Sequence, residues 1–191
     1  MQVGGDIAPP KQFQLHDIVY GTMTLPSYCL PFVNQPSMQR IKNISQLGPN
    51  YYVFPGATHN RFEHSCGVAY LCDMQMNAFR RHHEMHQVSA LSSEEFPFNE
   101  QDHKCIVLAG LMHDLGHGIY SHLFDRNTMN YLLPNGLPPK PVGKRSRLMS
   151  DGSVGLDTLM DDISASITQG APGRPWEHED ASAMLIDYTH D

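Results

Sequence analysis

Apolar residues recur at every third or fourth position along much of the chain, which is the spacing of one face of a helix. Between residues 27 and 48 this pattern is interrupted by Pro31 and Pro36. We therefore predict two short helices in this stretch, the second from Ser37 to Leu47 and ended by Gly48-Pro49.

Two longer helices are predicted in the middle of the chain. Asn60 and Glu63 form an Asn-x-x-Glu pair that resembles a capping box, and the apolar face that follows extends to about His86. The other helix is predicted over Asn99–Leu115, with acidic residues in its first turn and Gly116 as its stop. Its fully apolar middle implies burial on several sides.

Extended and irregular segments are predicted at the N-terminal end of the chain. Residues 1–14 contain paired glycines and paired prolines and are predicted to be a disordered leader. A short extended piece and a turn are predicted over Leu15–Gly21, and a second extended piece over Tyr51–Pro55.

The C-terminal third of the chain has a different composition. Residues 126–174 are rich in proline, glycine and serine and are predicted to be a flexible insertion, in which only Leu156–Ile167 has a helical pattern. A helix predicted from Trp176 is still in register at Asp191. We therefore expect residues 15–191 to form an incomplete domain.

Composition narrows the function classes. With 191 residues, 40% of them hydrophobic, the chain can bury a core, and it has neither a membrane-length apolar run nor a secretory signal. The net charge of −7 argues against non-specific binding of nucleic acid, despite one basic run at Lys140–Arg147. The four cysteines form no Cys-x-x-Cys pair, and we expect an intracellular protein of the nucleus or cytoplasm with no membrane partner.

Histidines and aspartates are clustered in a way that predicts a metal site. His113 and Asp114 end a buried apolar helix, where a charged pair is costly unless something compensates it. Imidazole and carboxylate are both good ligands for zinc, iron or manganese, and His64 adds a third candidate ligand. Further histidines nearby, His117 and His122, could bind or protonate a phosphate oxygen.

The order His64, then His113-Asp114, resembles the signature of the HD-domain superfamily of metal-dependent phosphohydrolases. Longer segments resemble one branch of that superfamily, the deoxynucleoside triphosphate triphosphohydrolases of the type that joins a SAM domain to an HD domain. These segments are Gln39-Arg40, Gln46-Leu47-Gly48, Tyr51–Ala57, Asn60–Ser65, Ala109–Asp125 and Trp176–Glu179. No segment of this sequence resembles the SAM domain.

The resemblance implies a ligand set for a divalent metal ion, whether Zn, Fe, Mn or Mg. His64, His113 and Asp114 would supply three of the family's four ligands. The fourth, an Asp well downstream of the Trp-Glu-His-Glu segment, has no counterpart before Asp191, so we expect a truncated site and slow turnover by this chain.

The resemblance also implies roles around the substrate. Arg61 would contact its phosphates, and Gln46 and Leu47 would lie near the deoxyribose, where a 2′-hydroxyl would clash. Catalytic positions over the phosphates, including proton transfer to the leaving oxygen by His122 or His178, fall to four residues: His117, His122, Asp125 and His178. Asp125 would orient His122.

A regulatory nucleotide is a further partner that the resemblance suggests. The family's guanine-nucleotide site corresponds to Asn34, Gln39 and Lys42, but Asn34 stands where the family has Asp and Lys42 where it has Arg. Asn lacks the charge that holds a guanine N–H pair, and Lys lacks the bidentate fork of Arg. The resemblance therefore does not lead us to expect activation by GTP. It does lead us to expect a homo-oligomer in the complete protein.

These observations lead to an expected fold and function. The fold is predicted to be all-α, an HD-type helical bundle truncated at its C-terminus. The expected function is metal-dependent hydrolysis of deoxynucleoside triphosphates, of the dGTP type, to deoxynucleoside and triphosphate. The alternatives are another HD-domain phosphohydrolase, such as a nucleotidase, cyclic-nucleotide phosphodiesterase or alarmone hydrolase, and an inactive fragment that only binds nucleotide or partner subunits.

Overall fold

A computed structural model of the chain describes residues 12–89, 96–132 and 177–190. Its regular elements are strands β1 (Phe13–Asp17) and β2 (Gly21–Leu25) and helices α1 (Leu30–Val33), α2 (Pro36–Arg40), α3 (Arg61–Ser89), α4 (Glu100–Met112), α5 (Asn130–Leu132) and α6 (His178–His190). Short 3₁₀ helices cover Ser27–Cys29, Ile41–Asn43 and Gly48–Tyr52, and a π-helical segment covers Phe124–Met129. Helices dominate, which confirms the predicted class. No helix in these ranges is long and apolar enough to span a membrane.

A two-stranded hairpin is the one sheet in the described part of the chain, and the sequence patterns predicted only its first half. β1 and β2 are antiparallel, with Phe13 opposite Leu25, and the Asp17 carboxylate accepts the N–H groups of the turn between them. Phe13 packs against the core. The predicted leader of residues 1–14 therefore extends two residues too far, while residues 1–11 lie outside the described residues.

The segment between the hairpin and α3 is more tightly turned than predicted. α2 ends at Arg40 rather than Leu47, because Ile44 is extended and its carbonyl accepts the N–H of Arg61 at 2.9 Å. Gly48 begins a 3₁₀ helix instead of only stopping one. The prediction that Tyr51–Pro55 is extended is therefore wrong for its first two residues.

Helices α3 and α4 form the framework, and both begin at capping boxes. Asn60 and Glu63 exchange the predicted hydrogen bonds before α3, and Asn99 and Asp102 do the same before α4. α4 ends at Met112, three residues before the predicted end, because the chain changes to tight turns there.

The core lies where α3, α4, α6 and β2 meet. Its most buried members include Leu25, Ile41, Leu108, Leu111 and Ile186, each at most 1% exposed. Full burial of each such side chain contributes about 1.5–3 kcal/mol relative to an exposed one. This core fixes the end of α4, where the predicted site residues begin.

The predicted insertion at 126–174 begins with ordered helix. The π-helical segment and α5 continue the chain through Leu132, and Asp125, just before the predicted insertion, is buried and bonded to His178. The rest of that segment, the predicted helix at 156–167 and Trp176 lie outside the described residues.

Helix α6 packs against the turn that follows α4, and a serine and a glycine make this possible. Ser182 is fully buried; its hydroxyl donates to the carbonyl of His113 at 2.6 Å and accepts the N–H of Gly116 at 2.8 Å. A Cβ on Gly116 would clash with the carbonyl oxygen of His178. The two segments are therefore in backbone contact.

We predict that Gly116→Ala destabilises the protein by about 2 kcal/mol, because the new methyl group forces α6 away from the turn. For a chain of this size that is a fall in Tm of roughly 4–8 °C, measured by circular dichroism. Gly56→Ala is the matched control, since a Cβ there meets nothing within 4 Å. An equal Tm for the two variants would show that the close packing of α6 is not required.

Candidate metal centre

Three predicted metal ligands meet at the end of α4. His64 lies in the first turn of α3, His113 follows the last residue of α4, and Asp114 comes next. The Asp114 carboxylate lies 3.5 Å from Nε2 of His64 and 3.3 Å from Nε2 of His113. One donor atom from each of the three residues falls within 4.8 Å of the others.

This donor set fits a divalent metal ion. Nδ1 of His113 lies 2.8 Å from the carbonyl oxygen of Gly110, which can only accept, so in the neutral ring Nδ1 carries the proton and Nε2 keeps its lone pair. That Nε2 faces Asp114. Two imidazoles and one carboxylate suit zinc, iron or manganese, so these residues could hold the ion that the sequence predicts.

Asp114 is a buried carboxylate, only 1% exposed. Burial alone would raise its pKa, but contacts from His117, His178, His113 and Arg61 outweigh burial and hold the pKa well below its usual range. Asp114 is therefore ionised, and its charge is available to a cation.

Arg61 is the fixed cation beside Asp114. The residue is 2% exposed, and its guanidinium donates to Asp114 Oδ2 at 2.7 Å, to the hydroxyl of Ser121 at 3.1 Å and to the carbonyl of Gln46 at 3.2 Å. The structure thus brings Arg61 to the site, bonded to protein groups on three sides.

The loop at 118–123 supports this arginine, and its role was not predicted. Tyr120 and Ser121 have φ values of 68° and 56°, a left-handed turn that aims the Ser121 hydroxyl at Arg61 and at the carbonyl of Ser45. Gly48 lies against this turn, where a Cβ would be 2.7 Å from the carbonyl oxygen of Tyr120. The one sequence signal for this contact would be a glycine at a position where the backbone φ is positive. A single sequence does not reveal which glycines have a positive φ.

The four predicted catalytic residues form a second cluster, beside the cluster of the three predicted metal ligands. Asp125 Oδ2 lies 3.0 Å from Nδ1 of His178 and 3.5 Å from Nδ1 of both His117 and His122. The rings of His117 and His178 stack at 3.5 Å between centroids. His122 is the exposed member, with 58% of its side chain accessible.

His117 and His178 connect the two clusters, since each ring faces Asp125 with one nitrogen and Asp114 with the other. Burial lowers the pKa of His117. Burial also acts to lower the pKa of His178, but its hydrogen bonds to Asp114 and Asp125 prevail and raise that pKa to about 9. His178 is therefore cationic near neutral pH.

The predicted sugar-contact residues lie next to the site. The carbonyl of Gln46 accepts from Arg61, and its N–H donates to the carbonyl of His59. The side-chain oxygen of Gln46 is buried and has no hydrogen-bond partner among the described residues. Leu47 is 46% exposed.

The candidate regulatory residues surround the short helices. Lys42 donates to the side-chain oxygen of Gln39 at 2.7 Å and lies 4.4 Å over the ring of Phe62, while the Gln39 amide donates to the carbonyl of Val33. Asn34 follows α1 and is exposed. Gln39 and Lys42 are thus in contact, and Asn34 is the residue after the carbonyl that Gln39 binds.

Residues outside these clusters also form contacts. His103 pairs with Asp73 at 2.9 Å and links α4 to α3, and the exposed His82 and His86 bring their Nε2 atoms within 3.0 Å of each other. Burial raises the pKa of the Cys29 and Cys66 thiols to about 12, so neither is a nucleophile near neutral pH.

Comparison with known proteins agrees with this geometry. The chain is similar to the deoxynucleoside triphosphate triphosphohydrolase SAMHD1 of Danio rerio, 43% identical over 117 residues, which are 61% of this chain and 17% of that protein. The human protein of the same name is 42% identical over 111 residues, 58% of this chain and 16% of its own length. The SAMHD1 homolog of Dictyostelium discoideum is 34% identical over 111 residues, 58% of this chain and 20% of that protein.

The chain thus spans no more than about a fifth of the length of these curated relatives. The match to a family model is broader, because the model described as "HD domain" covers residues 61–190. This range includes His64, the His113-Asp114 pair and His178. The chain belongs to the HD domain family.

Proposed function

We propose that this chain hydrolyses deoxynucleoside triphosphates with a divalent metal ion, releasing the deoxynucleoside and inorganic triphosphate. The observation that carries this proposal is the convergence of His64, His113 and Asp114 beside the histidines around Asp125. The relatives named deoxynucleoside triphosphate triphosphohydrolases support the substrate class. A divalent ion between the first three residues would lower the pKa of a bound water and neutralise phosphate charge.

The second cluster is suited to the phosphates and the leaving group. His178 is cationic near neutral pH and is held by Asp125, so it can pair with a phosphate oxygen. His122 is the most accessible histidine of the cluster and lies 3.5 Å from the same carboxylate. We assign proton transfer to the leaving oxygen to His122 or His178, with Asp125 as the group that orients them.

The sugar preference rests on Gln46 and Leu47. The exposed Leu47 offers an apolar surface on which a 2′-hydroxyl would lose its hydrogen bonds to water, and the side-chain oxygen of the adjacent Gln46 has no partner among the described residues. We propose that this pair discriminates against a 2′-hydroxyl, with dGTP as the first substrate to test.

Regulation and assembly are proposals of the same kind. The ammonium group of Lys42 contacts both the side-chain amide oxygen of Gln39 and the ring of Phe62. A regulatory nucleotide there would have to displace one of these contacts, and Asn34 offers it no charge. We propose homo-oligomer formation on the family resemblance alone.

The proposed reaction predicts a specific product. Incubation with dGTP, GTP or a cyclic dinucleotide, each with Mn²⁺, should yield inorganic triphosphate from dGTP only, measured by ion chromatography. We expect slow turnover, because three of the family's four ligands have counterparts in this sequence. Consumption of the cyclic dinucleotide alone would replace this proposal with the phosphodiesterase alternative.

Two variants serve as controls for that reaction. His113→Ala removes one candidate ligand and should abolish the triphosphate product, whereas His16→Gln alters an exposed hairpin histidine and should not. Triphosphate release that survives His113→Ala would disprove the proposed centre. Absence of product in every sample would favour the binding-only alternative.

The role of Arg61 can be separated from that of a structural ion pair. If it contacts the substrate phosphates, Arg61→Lys should raise KM for dGTP about tenfold or more and leave Mn²⁺ affinity nearly unchanged, because lysine keeps the charge but not the fork. If the residue only neutralises Asp114, Mn²⁺ affinity should change and KM should not. Steady-state kinetics and metal titration of the same preparation distinguish the two results.

A further inference from the structure

The cluster of His117, His122, Asp125 and His178 has the geometry of a metal site in its own right. Three Nδ1 atoms approach one carboxylate oxygen, Asp125 Oδ2, at 3.0, 3.5 and 3.5 Å. One donor atom from each of the four residues falls within 4.8 Å of the others. None of the four belongs to the set formed by His64, His113 and Asp114.

These separations match a tetrahedral ion. Zinc binds imidazole nitrogen and carboxylate oxygen at about 2.0–2.2 Å, so neighbouring ligands on a tetrahedron lie roughly 3.3–3.5 Å apart. Two of the three distances to Asp125 Oδ2 fall at the upper end of this range, at 3.5 Å, and the third is slightly shorter, at 3.0 Å. The side chains are thus close to a ligand arrangement already.

Unpartnered buried atoms point to the same conclusion. Neither ring nitrogen of His117, in a side chain with no exposed surface, has a hydrogen-bond partner within the described ranges. The same holds for Oδ1 of Asp125. Buried polar atoms of this kind are costly, and a cation bound by Nδ1 of His117 and by the Asp125 carboxylate would stabilise both.

The other face of the cluster is arranged to support such an ion. Nε2 of His117 and Nε2 of His178 lie 3.3 and 3.5 Å from Asp114 Oδ1. In a neutral ring whose Nε2 carries the proton and faces this carboxylate, Nδ1 keeps its lone pair for a metal; at His178 the ion would displace the proton on Nδ1. A carboxylate behind a ligating histidine is the usual arrangement at metal sites.

We propose that His117, His122, Asp125 and His178 form a second site for a divalent transition-metal ion such as Zn²⁺ or Co²⁺, separate from the site at Asp114. Binding at this site does not depend on catalysis. The effect of such an ion on catalysis does rest on the proposed function, because the ion would occupy the histidine nitrogens that are proposed to bind the substrate phosphates. Excess Zn²⁺ should therefore compete with the nucleotide.

The test is the number of Co²⁺ ions bound by the purified chain, measured by equilibrium dialysis together with visible absorption. All samples carry His82→Gln, because the adjacent Nε2 atoms of His82 and His86 could bind an ion independently. The parent should bind two ions, with the intense absorption of tetrahedral Co²⁺. His64→Gln and His122→Gln should each bind one, and the control His16→Gln should bind two.

His122→Gln is the informative variant, since its exposed side chain can be replaced without disturbing the core. It should weaken binding of the second ion by at least about tenfold, since loss of even an outer-shell partner costs roughly 10–100-fold in metal affinity. Unchanged binding in this variant, or a parent with one ion that only His64→Gln removes, would overturn the proposal. A parent that binds two ions but does not hydrolyse dGTP would uphold the second site and reject the proposed function.

Discussion

The rest of the site depends on the ionised carboxylate of Asp114, which is buried at the end of an apolar helix. An isolated charge in such a place is strongly unfavourable, so cationic and hydrogen-bonding groups must surround it. Arg61 provides the permanent charge at 2.7 Å, and four histidines have a ring nitrogen within 3.5 Å of the same carboxylate. A metal ion held by His64 and His113 would share this carboxylate with Arg61.

Backbone contacts hold this carboxylate in position. The turn after α4 is bound on one side by α6, through Ser182 and the missing side chain of Gly116. On its other side, Arg40 donates to the carbonyls of Leu115 and His117 at 2.5 and 2.9 Å. Three distant parts of the chain therefore meet at one turn, and His178 reaches the site because α6 packs there.

Local patterns predicted the elements that depend on local chemistry. The capping box at Asn60 and the helical periodicity after it set the start of α3, and the adjacent His113 and Asp114 indicated the metal centre because a charged pair ends an apolar run. Strand β2, the early ends of α2 and α4, and the roles of Ser121 and Ser182 were missed. The two serines bond to groups 60 or more residues away, Ser121 to Arg61 and Ser182 to Gly116, and sequence spacing carries no signal for such contacts.

We propose that His64, His113 and Asp114 together hold a metal ion. A crystal structure of the chain grown with Mn²⁺, with the ion located by its anomalous scattering, would show whether an ion binds there. We expect an ion at about 2.0–2.2 Å from Nε2 of His64, Nε2 of His113 and one oxygen of Asp114. A map with no peak among these three residues, and with Asp114 paired only with Arg61, would rule out this metal centre.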